Sequence, residues 1–412
     1  MQAQNNNIQT FSFGCRLNAL ETEKIRDMLA PLFRAAIVVN TCAVTHEAER
    51  QSGQFVRRLA RENPNVPIFV TGCAATRNAQ LFARVPGVAV IDNADKMRAD
   101  AYVNAAAPVV DVNQAATTDG TVTRGETLSK KFVQIQNGCN HKCTYCVTRL
   151  LRGPAVSFEY DDILREVRDA VADGYNEVVL TGVDIASYAR VRDGAPFLIS
   201  DLCAALLRDV PGLRRLRLSS MDPASPQLKK IVALMRADSR MMGHLHLSMQ
   251  SGSDTILSAM LRRHNSAGVR ELVAASEGVS FSWDIICGFP GETDELFAET
   301  MNLARELGVI KIHAFPFSPR PGTVAATMPD QVDRAVARRR VHEITRVADE
   351  NMAAFMRGQI GRRVQVLVEE NNMARTPDDI AVKIEGAAPS ARSVCDVNII
   401  GISGLQFIGK VC

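Results

Sequence analysis

Apolar positions in the first hundred residues switch between a period of two and a period near 3.6. Residues 8–13 alternate and predict a strand, which runs into Gly14-Cys15. From Asn18 to Leu32 the apolar residues Leu20, Ile25, Met28, Leu29 and Leu32 fall at helical spacing. Ile37-Val38-Val39 reads as a short buried strand and leads into Asn40-Thr41-Cys42. The stretch 47–61 is an amphipathic helix with Phe55, Val56 and Leu59 inward, and a strand over 66–70 precedes Thr71-Gly72-Cys73. Strands alternating with helices predict a parallel sheet. Each of the three cysteines follows a strand by one to three residues. In a parallel sheet those positions share the carboxyl edge, where α/β proteins bind ligands.

Residues 101–129 lack sustained periodicity and read as a linker with one edge strand over 108–112. A second α/β array follows over 130–357. Its strands are expected at 131–136, 177–181, 215–219, 244–249, 282–287 and 309–315, with helices at 161–172, 200–210, 226–237 and 292–307. Six such units predict a partial (β/α)6 barrel whose site lies at the carboxyl ends of its strands. A long polar helix is expected over 330–357. Residues 358–412 change to short alternating runs with glycines, at 363–368, 380–384, 397–402 and 406–411, which predict a small β-barrel. The expected class is therefore α/β, with an N-terminal domain over 1–100, a central barrel over 130–357 and a C-terminal β domain over 358–412.

Composition narrows the function. The chain has 412 residues, 46% hydrophobic and 23% charged, as in a soluble globular protein. Its apolar runs are too short to span a bilayer, and the start MQAQNNNIQT has no basic or apolar leader pattern, so a cytoplasmic location is expected. The net charge of +3 does not by itself announce a nucleic-acid binder. Ten cysteines in a reducing compartment argue against a disulfide framework. Cys203, Cys287, Cys395 and Cys412 have no partner at ligand spacing and read as small buried hydrophobes.

The other six form two sets: Cys15, Cys42 and Cys73 widely spread, and Cys139, Cys143 and Cys146 spaced C-x3-C-x2-C just after the first barrel strand. Thiolates are soft ligands suited to iron–sulfur clusters and zinc. Three thiolates on a four-iron cubane leave one iron open to chelate a small molecule. Structural zinc is the competing reading, with His141 as a fourth ligand.

The segment GCNHKCTYC (138–146) resembles the motif of the radical S-adenosylmethionine (SAM) enzymes, and the whole chain is similar to the methylthiotransferases. The similarity rests also on FGCRLNALETE (13–23), VVNTCAVT (38–45), VTGCAAT (70–76), LTGVDIASY (180–188), RLRLSSMDP (215–223), LHLSMQSGSD (245–254) and DIICGFPGETDELF (284–297). The resemblance implies two [4Fe-4S] clusters. One is an auxiliary cluster on Cys15, Cys42 and Cys73; the other is a SAM-binding cluster on Cys139, Cys143 and Cys146. It also implies a C-terminal substrate-binding barrel of the TRAM kind. The reaction implied replaces an aromatic C–H by C–SCH3: one SAM yields a 5′-deoxyadenosyl radical, and a second methylates sulfur held at the auxiliary cluster. No side-chain acid or base carries such a step; the cofactors do. The expected SAM-binding residues are Tyr145, Thr181, Gly182, Asp184, Ser219, Ser220, Gln250 and Gly288, all at or near strand ends.

The family acts on adenosines beside the transfer-RNA anticodon or on a ribosomal-protein aspartate. The run Phe13–Glu23 and the segment HAFPFSPRPGT (313–323) look most like the branch acting on N6-threonylcarbamoyladenosine, whose carboxylate calls for a cation such as Arg16 or Arg320. Arg217 is a further candidate for a carboxylate or phosphate. Expected partners are the anticodon stem-loop of transfer RNA, a reductant such as flavodoxin or ferredoxin, and a sulfur source. Arg57, Arg58, Arg61, Arg362 and Arg363 are expected to meet phosphates. Two departures stand out: Gly153–Ser157 lacks the family's Arg/Ser-rich run, and Phe407 is the only aromatic beyond Phe355, where RNA stacking usually wants several. Competing readings are a radical-SAM enzyme of other chemistry, methylthiolation of isopentenyladenosine or the ribosomal protein, and a non-catalytic iron–sulfur RNA-binding protein.

Overall fold

A computed structural model describes residues 7–43, 45–106 and 129–412; the strand expected over 108–112 lies outside them. The chain divides into two compact units. The first comprises residues 1–126, 138–141 and 146–154, and the second residues 127–137, 142–145 and 155–412.

The first unit is built on a four-stranded parallel sheet in the order β1 (Asn7–Ser12), β2 (Ala35–Thr41), β3 (Ile68–Gly72), β4 (Val88–Val90). Every residue of β2 and β3 is buried, as expected of strands covered on both faces. Helices α1 (Arg16–Leu29) and α2 (His46–Glu62) make the crossovers. The period-two alternation sorts side chains onto two cores: Ile37, Val39 and Val70 pack with Val56 and Leu59 of α2, while Val38 and Phe69 pack with Ile25 and Leu29 of α1. Thr45 caps α2 by accepting from the Ala48 N–H at 3.1 Å.

The second unit holds six parallel strands in chain order. Lys130–Gln134, Glu177–Thr181 and Arg215–Leu218 pair in one sheet, and His244–Gln250, Ser280–Cys287 and Lys311–Pro316 in another. Parallel bridges Leu216–Met241 and Met221–Leu247 join the two into the expected open barrel. A helix over Arg334–Arg357 follows, starting at its Asp333 cap. Five strands then close a small barrel: Arg363–Val368, Met373–Arg375, Ala381–Glu385, Gln406–Val411 and Val394–Ser403. One expectation needs correction. Cys412 is exposed and Cys395 only partly buried, whereas Cys203 and Cys287 are fully buried. Phe407 is 2% exposed inside the small barrel, so it is a core residue there and no stacking platform. No helix among the described residues is long and apolar enough to cross a membrane.

Candidate functional site

Because β1, β2 and β3 are adjacent and parallel, the residues leaving their carboxyl ends emerge on one edge of the first unit. Cys15, Cys42 and Cys73 stand there, each outside any disulfide. Gly14, at φ +92°, lies against Cys42: a Cβ on it would sit 2.4 Å from the Cys42 Sγ. The loop bearing the first cysteine thus packs onto the second, and only glycine permits both the backbone conformation and the approach. Side-chain amides and a hydroxyl brace the edge. Asn18 donates to the carbonyls of Phe13 and Thr41 at 3.0 and 3.1 Å, and Asn40 donates to the Asn18 carbonyl at 3.0 Å. The Thr41 hydroxyl donates to the Thr71 carbonyl at 2.7 Å and accepts from the Ala75 N–H at 3.0 Å.

Behind this edge lies a buried charge cluster. Glu21 accepts from Lys96 at 2.6 Å and from Arg152 at 2.8 and 3.0 Å, with all three side chains at most 3% exposed. Arg152 also donates to the Asn18 Oδ1 at 2.7 Å. Two cations against one carboxylate leave a net positive charge. Burial pushes the Glu21 pKa up, but Arg152 and Lys96 outweigh it and hold the carboxyl below its usual range. Burial pulls the Arg152 pKa down, and Glu21 together with the thiols Cys73 and Cys15 drives it above its ordinary value. Asn93 adds a donor, 3.5 Å from the Cys73 Sγ. Sequence reasoning did not single out Glu21, although a charge within the apolar face of α1 was a signal for it. Lys96 and Arg152 gave no such signal, since nothing local marks them.

The division into units runs through the second set of cysteines: Cys139 and Cys146 fall in the first, Cys143 in the second. All three are partly buried and outside any disulfide. The N–H groups of His141 and Thr148 point at the sulfurs of Cys139 and Cys146, each at 3.4 Å. Arg262 lies 3.6 Å from the Cys143 Sγ, donates to the Ser248 carbonyl at 2.7 Å and pairs with Asp222 at 3.3 Å. Sequence reasoning missed Arg262. In each unit, then, soft thiol donors stand beside a buried guanidinium, an arrangement that suits thiolates binding an anionic cluster.

The expected SAM-binding residues of the second unit mostly gather at the carboxyl edge of the barrel. Tyr145 packs on an apolar cluster of Ile256, Met260, Phe289 and Ala325. Thr181 ends its strand, and Gly182 lies against the Gln136 carbonyl, which a Cβ there would approach to 2.7 Å. The N–H groups of Val183 and Asp184 both donate to the Gln136 side chain, at 3.1 and 2.8 Å, and the Asp184 carboxylate accepts from Ser187. Ser219 and Ser220 follow the third strand, half-buried. Gln250 ends the fourth at φ +71°, just after a register shift, in a region non-glycine residues seldom occupy. Gly288 answers to packing: a Cβ on it would lie 2.5 Å from the Ala337 Cβ, and its N–H donates to Glu292.

The candidate arginines separate. Arg16 is exposed and adjoins Cys15 at the start of α1, whereas Arg320 is 2% exposed. Arg217 is not a ligand site: it is buried, donates to Glu177 at 2.7 Å, and reaches the Pro377 carbonyl at 2.8 Å. His244 and His246 share a strand face as expected, both bonded to the Ser282 hydroxyl, at 2.9 and 2.7 Å.

Residues 133–304 match the radical SAM superfamily, and residues 7–92 match the uncharacterized protein family UPF0004. The chain is 38% identical over 385 residues to the threonylcarbamoyladenosine tRNA methylthiotransferase MtaB of Rickettsia prowazekii, covering 91% of this chain and 90% of that one. The chain belongs to the radical SAM methylthiotransferase family. This member is also 31% identical to MtaB of Bacillus subtilis over 89% of its own length and 86% of the relative's. It is likewise 31% identical to a tRNA-2-methylthio-N(6)-dimethylallyladenosine synthase of Novosphingobium aromaticivorans, over 87% and 85%. Among solved structures, the radical SAM methyltransferase TsrM of Kitasatospora setae, with cobalamin and a [4Fe-4S] cluster bound, superposes with a TM-score of 0.57. At 13% identity over 78% of this chain and 77% of that one, this likeness concerns the fold alone.

Proposed function

We propose that this chain is a transferase that adds a methylthio group to C2 of N6-threonylcarbamoyladenosine at position 37 of transfer RNA. The observation that carries the reading is the 38% identity to a threonylcarbamoyladenosine tRNA methylthiotransferase over nine-tenths of both chains. The two thiol triplets suit the two [4Fe-4S] clusters and SAM that such an enzyme uses. Bound, these cofactors supply the one-electron chemistry, the sulfur and the methyl group that an aromatic C–H bond requires.

The chain's own residues do the rest. Cys15, Cys42 and Cys73 hold one cluster at the first unit's edge, and Cys139, Cys143 and Cys146 hold the other. Arg152 and Lys96, net of Glu21, offset negative charge near Cys15 and Cys73, and Arg262 does so near Cys143. Tyr145, Thr181, Gly182, Asp184, Ser219, Ser220 and Gln250 line the SAM side, and Gly288 shapes the chain there by packing on Ala337. Of the two arginines, Arg16 is the better partner for the threonyl carboxylate, because a ligand can reach an exposed guanidinium and Arg320 is buried. A cytoplasmic site of action, a small electron carrier such as flavodoxin or ferredoxin and a sulfur source complete the reading, with domains at 1–100, 130–357 and 358–412.

Mass spectrometry of transfer-RNA nucleosides from a strain lacking this protein tests it. The methylthio form of threonylcarbamoyladenosine should vanish while the unmodified nucleoside accumulates. Loss of the isopentenyl form instead would move the enzyme to the other branch.

A further inference from the structure

The first unit carries a cationic recess that neither the fold nor the two clusters require. A cavity of about 940 Å³ is lined by Arg57, Arg58 and Arg61 of α2, by Arg84, and by Phe13 and Phe55; no carboxylate lines it. All four arginines are exposed. Arg57, Arg61 and Arg84 make no ion pair among the described residues, and Arg58 reaches Glu62 only at 3.9 Å. Other arginines of the same unit are matched: Arg26 with Asp27, Arg50 with Glu47, Arg77 with Glu49, and Arg98 with Asp95 and Asp100. Four guanidinium groups around one hollow repel one another, and an anionic occupant relieves that repulsion.

The recess also has an aromatic floor. Phe55 meets Phe11 and Phe13 edge-on, at centroid distances of 4.7 and 5.4 Å, and the Arg58 guanidinium lies 5.1 Å from the Phe55 ring. Unpaired arginines beside half-buried rings suit a ribose–phosphate strand with an unstacked base better than a smooth acidic protein surface. Arg57 and Arg61 stand one helical turn apart, about 5–6 Å between Cβ atoms, so their forks can take neighbouring phosphates. Phe13 precedes Cys15 by two residues, so the recess adjoins the thiol edge.

We propose that this recess is where the first unit grips the backbone of the substrate transfer RNA. The proposal rests on the functional reading above and adds a site and its residues: Arg84 joins the α2 arginines, with Phe55 as the stacking surface. Arg363 of the C-terminal barrel does not belong to such a site, since it pairs with Asp396 at 2.7 Å.

The test uses the reconstituted full chain and a synthetic anticodon stem-loop bearing threonylcarbamoyladenosine, with binding measured across a salt series. In the variant Arg57→Gln/Arg61→Gln/Arg84→Gln, affinity should fall about tenfold or more at physiological salt. The slope of log K against log salt should shrink by roughly 0.7–0.9 for each phosphate the variant no longer neutralises. Its thermal unfolding should match wild type, since the three side chains are exposed. Wild-type protein that binds the RNA while the variant binds equally well, with the same slope, overturns the recess and leaves the functional reading intact. Wild-type protein that binds no transfer RNA overturns both. An equal loss on neutralising Arg334, Arg338 and Arg346, exposed arginines of the second unit, would make the effect one of net charge and overturn the site. So would unchanged RNA binding with slowed reduction by flavodoxin, which would give the recess to the electron donor.

Discussion

Glu21 is the one carboxylate between two buried cations, and its loss should be far more costly than the loss of either cation. Glu21→Gln leaves Arg152 charged and unmatched and drives Lys96, whose pKa burial and Arg152 already lower, toward its neutral form, at a cost of about 3–5 kcal/mol. Lys96→Met should cost less, because Arg152 still holds both oxygens of Glu21. Urea unfolding of the cluster-free chain reads the order, and a Lys96 variant as unstable as the Glu21 variant would contradict it. Protonation offers a second check. Burial, helped by Arg217, lowers the His244 pKa from 6.5 to about 3. The folded chain thus keeps this imidazole neutral where the unfolded chain protonates it. Its contribution is complete above pH 6.5 and fades as pH falls toward 3, by about 2 kcal/mol between pH 6.5 and 5. Glu177, held at about 2 against burial by Arg217, Arg215 and Lys130, titrates below that window. Burial and Arg262 lower His264 to about 4, so it contributes over the same range. His244→Gln should therefore remove about half of the slope from pH 6.5 to 5, and an unchanged slope would show that His244 is not one of its sources. At this scale the cysteines were legible because metal ligands recur at fixed offsets from strands. Lys96 and Arg152 were not, because their partner lies 75 and 131 residues away.

The longer elements follow from periodicity because burial enforces it: Glu177–Thr181 falls where the apolar run predicts, and β2 extends the predicted core by two residues at each end. Short strands escape. β4 and Met373–Arg375 have three residues each, too few to show a period, and the hairpin Ala189–Arg192 with Ala195–Leu198 carries mixed polar and apolar residues. The junctions between elements matter most for the site. Gly14 closes the turn between β1 and α1 against Cys42. Gly14→Ala must displace Cys42, since the new methyl would lie 2.5 Å from the Cys42 Cβ and the backbone conformation disfavours any side chain. The variant should therefore lose the auxiliary cluster on anaerobic reconstitution and keep the other, so iron content should fall by about half. It should still cleave SAM without methylthiolating RNA. Full iron loading would show that Cys42 is not a ligand or that its loop yields without cost.

Within the second unit, the C-terminal barrel and the central barrel are joined by buried charge. Lys130, Glu177 and Arg215 are the first residues of their strands, so they mark the amino edge, opposite the carboxyl edge that carries Thr181, Ser219 and Gln250. Glu177 pairs with Arg215 at 2.6 Å and Arg217 at 2.7 Å. Those arginines in turn donate to the Thr376 and Pro377 carbonyls at 3.0 and 2.8 Å, and Lys130 pairs with Asp379 at 2.5 Å. The loop between Met373–Arg375 and Ala381–Glu385 therefore closes the amino end of the partial barrel. Sequence could forecast a barrel over 358–412 but not this joint, because its residues are single charges scattered from Lys130 to Asp379. A truncation after Arg357 removes Asp379 and both carbonyls, leaving two arginines and a lysine around Glu177 alone. The truncated chain should be insoluble or unfold at lower temperature even without RNA or SAM, so its inactivity says nothing about RNA binding. Asp379→Asn is the milder probe: it keeps the loop and both carbonyls, removes one charge, and should lower the unfolding temperature by less than truncation does. A truncated chain that stays folded with wild-type SAM cleavage would show the joint to be dispensable. Only in that case would loss of methylthiolation on deleting 358–412 report on the C-terminal barrel as an RNA-binding element.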